Sequence, residues 1–364
     1  MMTTMLGDDI SYIWKGEDGK AHAVNSEAGM FGIIKDVNAI DDPILWKLLH
    51  TEGLDIAYAN ILMLPDGRVF WMGSGDPVPM GGVNFDGEWH RGKLQLDREG
   101  KQVLTDKGEK VIVNPSHPNA RFAMALENFP NIHPALHSPK GVPLHGILYG
   151  GRDYDTSVPV LQSFGWAHGT ITCGACLESQ TTSATIDKAT GRNFDPMANR
   201  DFLSISIGQY VQNHLTFGKR LEEPPPIFLV NYYLWAKDRS QLGPNDSPFL
   251  NEKNDKEVWL QWIERRVHGD MGAIETPIGF IPKYEDLRSL FKVLRNKDYT
   301  RKMYDEQFQV RVQENLAKNK RMEEAYSKIP DAPEEVFAQL EAQKRRLRAA
   351  QKEFGDYIIP DKFE

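Results

Sequence analysis

The sequence predicts an α/β protein, with a mixed β-sheet core and a helical C-terminal region, on three observations. Short apolar runs bounded by glycine, proline and acidic turns fill most of the first 230 or so residues. Apolar residues at helical spacing dominate after residue 250. Hydrophobic content of 40% and charged content of 26% are those of a soluble globular chain, and 364 residues suffice for one large or two medium domains.

The first element, "LGDDISYIW", reads as the end of one strand, an acidic turn at Asp8-Asp9 and a second strand through Ile10 to Trp14. A strand lacking its first half suggests a chain taken from inside a larger fold. "IAYANILMLPDGRVFWMG" predicts two apolar strands around a Pro65-Asp66-Gly67 turn. Residues 92–113 read as a polar hairpin with turns at Glu99-Gly100 and Lys107-Gly108. From Gly141 to Cys176 apolar strands alternate with glycine-bearing loops, and no helix announces itself. "LSISIGQYVQNHLTFG" is the first helix, followed by a triple proline and the buried-looking strand "IFLVNYYLW". "DKEVWLQWIERRVHG" is an amphipathic helix closed by Gly269, and two long charged helices follow, split at Pro330-Asp331-Ala332-Pro333. No internal repeat is evident.

Composition excludes several classes. No apolar run approaches the roughly 20 residues of a membrane span, and the N-terminus has neither the basic nor the apolar segment of a secretory signal. A net charge of −8 argues against a broad grip on nucleic acid or anionic membrane, and a cytoplasmic protein is expected. The basic run Lys344-Arg345-Arg346 sits among Leu340, Leu347 and flanking acids, so it reads as a solvated helix face. Cys173-Gly174-Ala175-Cys176 has redox or half-zinc spacing, but with no second pair two packed thiols are the simpler reading. His145 and His168 read as core or supporting histidines, and the eight tryptophans as packing.

The candidate chemistry concerns anions. In "ILYGGRDYDTSVPV" two glycines allow close backbone approach, and Arg152 beyond them can grip carboxylate or phosphate in a bidentate fork, unless it is only a solvated turn arginine. "HPNARF" puts Asn119 and Arg121 two residues apart, on one side of an extended backbone. Asp8 and Asp9 at a strand end can present carboxylate to a hard divalent cation or merely cap a turn.

In succession, "GDDI", "NSEAGMFG", "HPNARF", "GVPLHGILYGGR", "SFGWAHG", "FDPMANRDF" and "TPIGFIP" resemble the C-terminal half of GTP-type phosphoenolpyruvate carboxykinase, in the family's order and over residues 7 to 282. The resemblance implies two parts: residues 1–282 as an incomplete C-terminal catalytic, phosphoryl-donor-binding domain, and 283–364 as a helical extension packed on it. It implies interconversion of oxaloacetate with phosphoenolpyruvate and CO2, a gluconeogenic reaction, with GTP/GDP or pyrophosphate/phosphate as the phosphoryl pair. Asp9 matches a Mn2+ ligand and Asp8 lies near the nucleotide's Mg2+. Arg121 and Arg152 match arginines on the transferring phosphoryl group, Asn119 the amide on the phosphoenolpyruvate carboxylate, and residues 179–191 a lid.

The sequence also departs from the family. No GxxxxGK[ST] occurs, and the metal-binding lysine and histidine of the family have no counterpart here. The guanine pocket would retain Tyr232-Tyr233, but "LGPNDSPFLNEKND" replaces the base-reading segment, and the arginine expected around "CLES" is missing. Half of a carboxykinase site, completed by a separate N-terminal piece or a longer chain, is therefore weighed against a silent subunit that binds anions or a protein partner. Neither nucleic acid nor a membrane is an expected partner.

Overall fold

The structure, a computed structural model, describes residues 3–180, 192–193, 202–236 and 249–364. It is α/β, as the sequence predicts. Its largest sheet has five strands in the order Ile147–Gly150, Ile227–Val230, Val160–Gln162, Gly279–Ile281 and Ile274–Thr276. The first pair is parallel and the others antiparallel. "IFLV" is an interior strand, paired on both sides, with all four residues buried, which is why it reads as a continuous apolar run. The helix Lys256–Val267 buries Val258, Trp259, Trp262 and Ile263 against this sheet, and Trp259 meets Phe291 and Phe308 edge-on. The same core continues into Leu287, Tyr304, Val312 and Leu347, so the C-terminal helices share the sheet's interior.

A second, helical core joins Ile207–Arg220, capped by Ser206, to Val312–Tyr326 and Glu334–Phe354. The last two are the charged helices expected on either side of the proline pair. The basic run is not simply solvated: Lys344 pairs with Glu323 and Glu341, and Arg346 lies 4.6 Å over the Phe164 ring and donates to the Pro277 carbonyl.

Residues 166–175 are helical where the sequence suggests strands and loops. An α-turn, Trp166–His168, runs into the π-helix Gly169–Ala175. Gly169 permits this, since a Cβ there would come within 2.5 Å of Ile227 Cβ on the strand Ile227–Val230. His168 is buried, as expected of a core histidine, and its Nδ1 accepts the Phe164 amide. His145, by contrast, is exposed, because the strand Val142–Pro143 ends just before it.

The N-terminal part builds smaller sheets. A three-stranded sheet has Arg121–Ala125 in its centre between Gly29–Ile33 and Ile56–Ala59. The apolar stretch after Ile56 makes three strands rather than two, because Asn60 takes a left-handed conformation (φ 61°) and diverts the chain into the hairpin of Leu62–Met63 and Val69–Phe70.

Residues 92–113 form a closed three-strand ring, not a single hairpin. Leu96 bridges Gln102, Leu104 bridges Lys110, and Ile112 returns to Leu94. The amides of Val103, Val111 and Gln95 donate in turn to the carbonyls of Gln95, Val103 and Val111. Gly92, Gly100 and Gly108, all at positive φ, turn the corners at equal spacing. The segment is thus a threefold octapeptide repeat, which sequence inspection passes over because little but the glycine and the apolar residue four positions on recurs.

Burial and the neighbouring Arg346 guanidinium hold the His168 imidazole down at about 3. A histidine depressed on folding contributes stability that is complete above its unfolded pKa near 6.5 and is lost as pH falls toward the folded value. Between about pH 6.5 and 4.5 this predicts a loss of roughly 2 to 3 kcal/mol. Urea denaturation at both pH values checks it: His168→Gln should flatten the pH dependence, and an unchanged slope would refute the assignment.

Candidate active site

The Asp8-Asp9 turn is built by two sequence blocks that hold each other. Glu27 Oε2 accepts the amides of Asp9 and Ile10, each at 2.8 Å, and Asp8 Oδ2 accepts the Phe31 amide at 3.0 Å. Phe31 lies in Gly29–Ile33, an edge strand with amides open on one side, and Asp8 closes one of them. Asp8 and Asp9 are exposed. As expected, Asp8 and Asp9 form a turn, after a single bridge at Met5 and before the strand Ser11–Lys15.

The same edge strand leads to the second group. Ile33 pairs with Arg121, the first residue of the central strand. Arg121 Nε donates to Asn119 Oδ1 at 2.9 Å, so the amide and guanidinium do lie together, and the Arg121 side chain is exposed. The turn before them is fixed from behind: His117 Nδ1 accepts the Asn119 amide, and Asn60 Nδ2 donates to the Asn119 carbonyl.

Arg152 follows the strand Ile147–Gly150 and precedes a buried knot. Asp153 Oδ1 accepts the Thr156 amide at 2.8 Å; its Oδ2 accepts the hydroxyls of Ser157 (2.9 Å) and Thr156 and lies 3.5 Å from Lys318 Nζ. Burial alone would push the Asp153 carboxyl up; the Lys318 ammonium, then the Thr156 and Ser157 bonds, more than reverse this and hold it at about 2. Asn231, just past the strand Ile227–Val230, donates Nδ2 to the carbonyls of Asp153 (2.7 Å) and Ser157 (3.0 Å). Its Oδ1 accepts the amides of Asp153 and Tyr233. The loop bearing Arg152 and the segment bearing Tyr233 are therefore tied to one side chain, and the Arg152 guanidinium stands 5.1 Å over the Tyr233 ring.

Tyr232 is half-buried and packs against the main core. Asn251 is buried: its Nδ2 donates to the Asn231 carbonyl and its Oδ1 accepts Gln307 Nε2. The two cysteines are buried free thiols, pushed up to about 11 for Cys173 and about 12 for Cys176 by burial, which is the packed reading. At "CLES", Glu178 is buried in a two-pronged pair with Arg321. Nearly all of the lid segment, most of "FDPMANRDF" and residues 242–248 of the base-pocket segment lie outside the described residues.

Three site residues escape sequence reasoning. Asp153 had a signal, since an aspartate three residues before a threonine is the pattern of a side chain taking its own loop's amides. Asn231 and Lys318 had none; Lys318 reads as one more charge on a surface helix. For the divalent metals, Asp8 and Asp9 fit by chemistry, being hard oxygen donors at an exposed turn. In number they do not make a cage: among the described residues no group of three or more His, Cys, Asp or Glu is placed to hold a metal.

The described fold is α/β, with Arg152 just past a strand of the mixed sheet, Arg121 at the start of a strand of the antiparallel three-stranded sheet, and paired carboxylates at an exposed bend. Comparison with known proteins narrows the class. Residues 1–346 match the family described as the phosphoenolpyruvate carboxykinase C-terminal P-loop domain. Proteins named phosphoenolpyruvate carboxykinase [GTP] are 50% identical in Pyrococcus horikoshii, over 98% of this chain and 54% of that protein, and 48% identical in Pyrococcus furiosus, over 98% and 53%. In Saccharolobus solfataricus such a protein is 43% identical over 100% of this chain and 56% of its own length. The chain belongs to the GTP-type phosphoenolpyruvate carboxykinase family, and it spans about half the length of the curated relatives it matches.

If Arg121 and Arg152 serve one anion, crystals soaked in phosphate should show a single ion within hydrogen-bond reach, about 3 Å, of both guanidinium groups. Two separate ions, or one on Arg121 alone, would break the pairing.

Proposed function

We propose that this chain supplies the phosphoryl-handling half of a phosphoenolpyruvate carboxykinase, interconverting oxaloacetate with phosphoenolpyruvate and CO2. On this reading residues 1–282 form the catalytic portion and 283–364 a helical part packed on it. The observation that carries it is Arg152, held beside Tyr233 by a buried polar knot, in a chain whose relatives bear that enzyme's name.

In the reaction, the bond between C3 of oxaloacetate and its C4 carboxylate breaks; CO2 leaves and its electron pair forms an enolate. The enolate oxygen takes the phosphoryl group from the donor, and the rest of the donor leaves, as GDP from GTP or as phosphate from pyrophosphate. Arg121 and Arg152 would hold the phosphoryl oxygens as charge redistributes, and Asn119 would hold the carboxylate that remains in phosphoenolpyruvate. Asp9 would hold Mn2+ and Asp8 would lie at the nucleotide's Mg2+, and such cations neutralise phosphate charge. The other metal ligands and a phosphate loop would come from residues outside this sequence.

GTP is the donor that the relatives' names favour. A second donor, pyrophosphate, is favoured by two contacts: Arg152 occupies a face of Tyr233, and Asn251 is committed within the protein. A base pocket built without those groups would select poorly. A third reading, a carboxykinase-like subunit that binds anions without turnover, makes the same anion contacts.

Kinetics on the 364-residue chain alone, and on the chain joined to the remaining half found in its relatives, separate these readings. The chain alone should show no turnover with Mn2+ and either donor, and the joined enzyme should be active. In the joined enzyme Arg152→Lys should cut kcat by roughly 100-fold or more, since a point charge replaces a bidentate fork. An inactive joined enzyme leaves the silent subunit, and a clear kcat/KM advantage for GTP and GDP removes pyrophosphate.

A further inference from the structure

The helix Val312–Tyr326 aims a line of polar side chains, three residues apart, at the proposed site. Asn315 donates Nδ2 to the Thr156 carbonyl at 3.0 Å, Lys318 meets Asp153, and Arg321 grips Glu178 at 2.6 and 2.7 Å. Residues at i, i+3 and i+6 drift slowly around a helix, so the three reach successive points along one side. Asn315 and Lys318 end on the loop that carries Arg152, and Arg321 ends two residues beyond Cys176, where the segment matching the family's lid begins. Lys318 is 7% exposed and Asp153 3%, so this is a contact formed away from water between segments 165 residues apart.

Resting on the proposed role of Arg152, we infer that Lys318 is a positioning residue for it: the ammonium locks Asp153, and the locked loop holds the Arg152 guanidinium against Tyr233 and toward the transferring phosphoryl group. Three features support a positioning role over simple packing. Asp153 adjoins Arg152 in sequence, so a backbone shift at Asp153 reaches the arginine through a single peptide unit. Asn231 ties the Asp153 and Tyr233 backbones to one amide, so the two partners of the cation–π contact share a frame. Asn251, held by Gln307 of the helix Arg301–Phe308, braces that frame from the other side, leaving Lys318 as the charged contact on the carboxylate among the described residues. Replacing lysine by a neutral residue would let the carboxylate seek water and turn the loop with it.

Titration calorimetry of the full chain with pyrophosphate as the probe tests this through a double-mutant cycle. Arg152→Ala should weaken binding, and Lys318→Met should weaken it by roughly fivefold to tenfold, the size of a coupled contact. In the Arg152→Ala background Lys318→Met should cost nothing further, because its effect passes through the arginine. Should Lys318→Met fail to fold, Lys318→Met with Asp153→Asn removes both charges, keeps an acceptor for Thr156, and enters the same cycle with the same expectation. Unchanged affinity in the Lys318 variant, or an equal loss with and without Arg152, overturns the inference while leaving Arg152 a ligand. No measurable binding, or no effect of Arg152→Ala, overturns the reading of Arg152 and the inference together.

Discussion

A carboxylate without water has to be compensated or it neutralises, and Asp153 is the place where this chain meets that requirement. Transfer of an ionised carboxyl into a protein interior costs several kcal/mol. Two hydroxyls, two backbone amides and an ammonium offset it here. The donors come from the carboxylate's own loop and from the helix Val312–Tyr326, so the fold depends on bringing the two together. Removing either charge alone leaves the other stranded, so the pair fixes which groups of the helix and the loop must meet. The pair adds orientation more than net stability, since burying both charges roughly cancels their attraction.

The acidic pair Asp8-Asp9 is arranged on the opposite principle. Asp8 and Asp9 stay at the surface, and what is fixed is their backbone: Glu27 takes two successive amides, while Asp8 spends one oxygen on the Phe31 amide. An exposed carboxylate keeps its hydration and so avoids the desolvation cost that Asp153 carries. The same strand, Gly29–Ile33, positions both the acidic turn and, through Ile33, the start of the strand led by Arg121. One short edge strand thus sets acidic and basic groups in register, and the Asn119–Arg121 bond then fixes the guanidinium's rotation.

How much of this was legible in the sequence depended on whether the signal was local. The buried strand at 227–230, the helix at 207–220 and the paired charged helices follow from runs and periodicities within a dozen residues. The turn at Asp8-Asp9 and the Asn119–Arg121 neighbourhood are also local, one by turn chemistry and one by the two-residue period of extended chain. The π-helix at 169–175 was hidden because small residues there fit either state, and its glycine is explained only by the strand it packs on. The ring at 92–113 was hidden for a related reason: its closing bridge joins its first strand to its last. Lys318 and Asn231 act across 165 and 78 residues, and nothing in a helical or strand pattern marks such a partner in advance.

The contact between Arg152 and Tyr233 also bears on how a donor could be chosen. An aromatic ring has two faces, and a guanidinium on one of them leaves at most the other for a base. Since Asn231 ties both segments, a shift of Tyr233 to accommodate a base would be felt at Asp153, and therefore at Arg152. On the proposed reading, base recognition and phosphoryl contact would in this way be mechanically coupled rather than independent subsites. On that reading such coupling would favour a donor whose phosphates alone determine the fit, because part of any energy gained at the base would go into displacing the arginine. A nucleotide would regain the advantage only if its base stacked on the ring's second face, with the guanidinium undisturbed on the first.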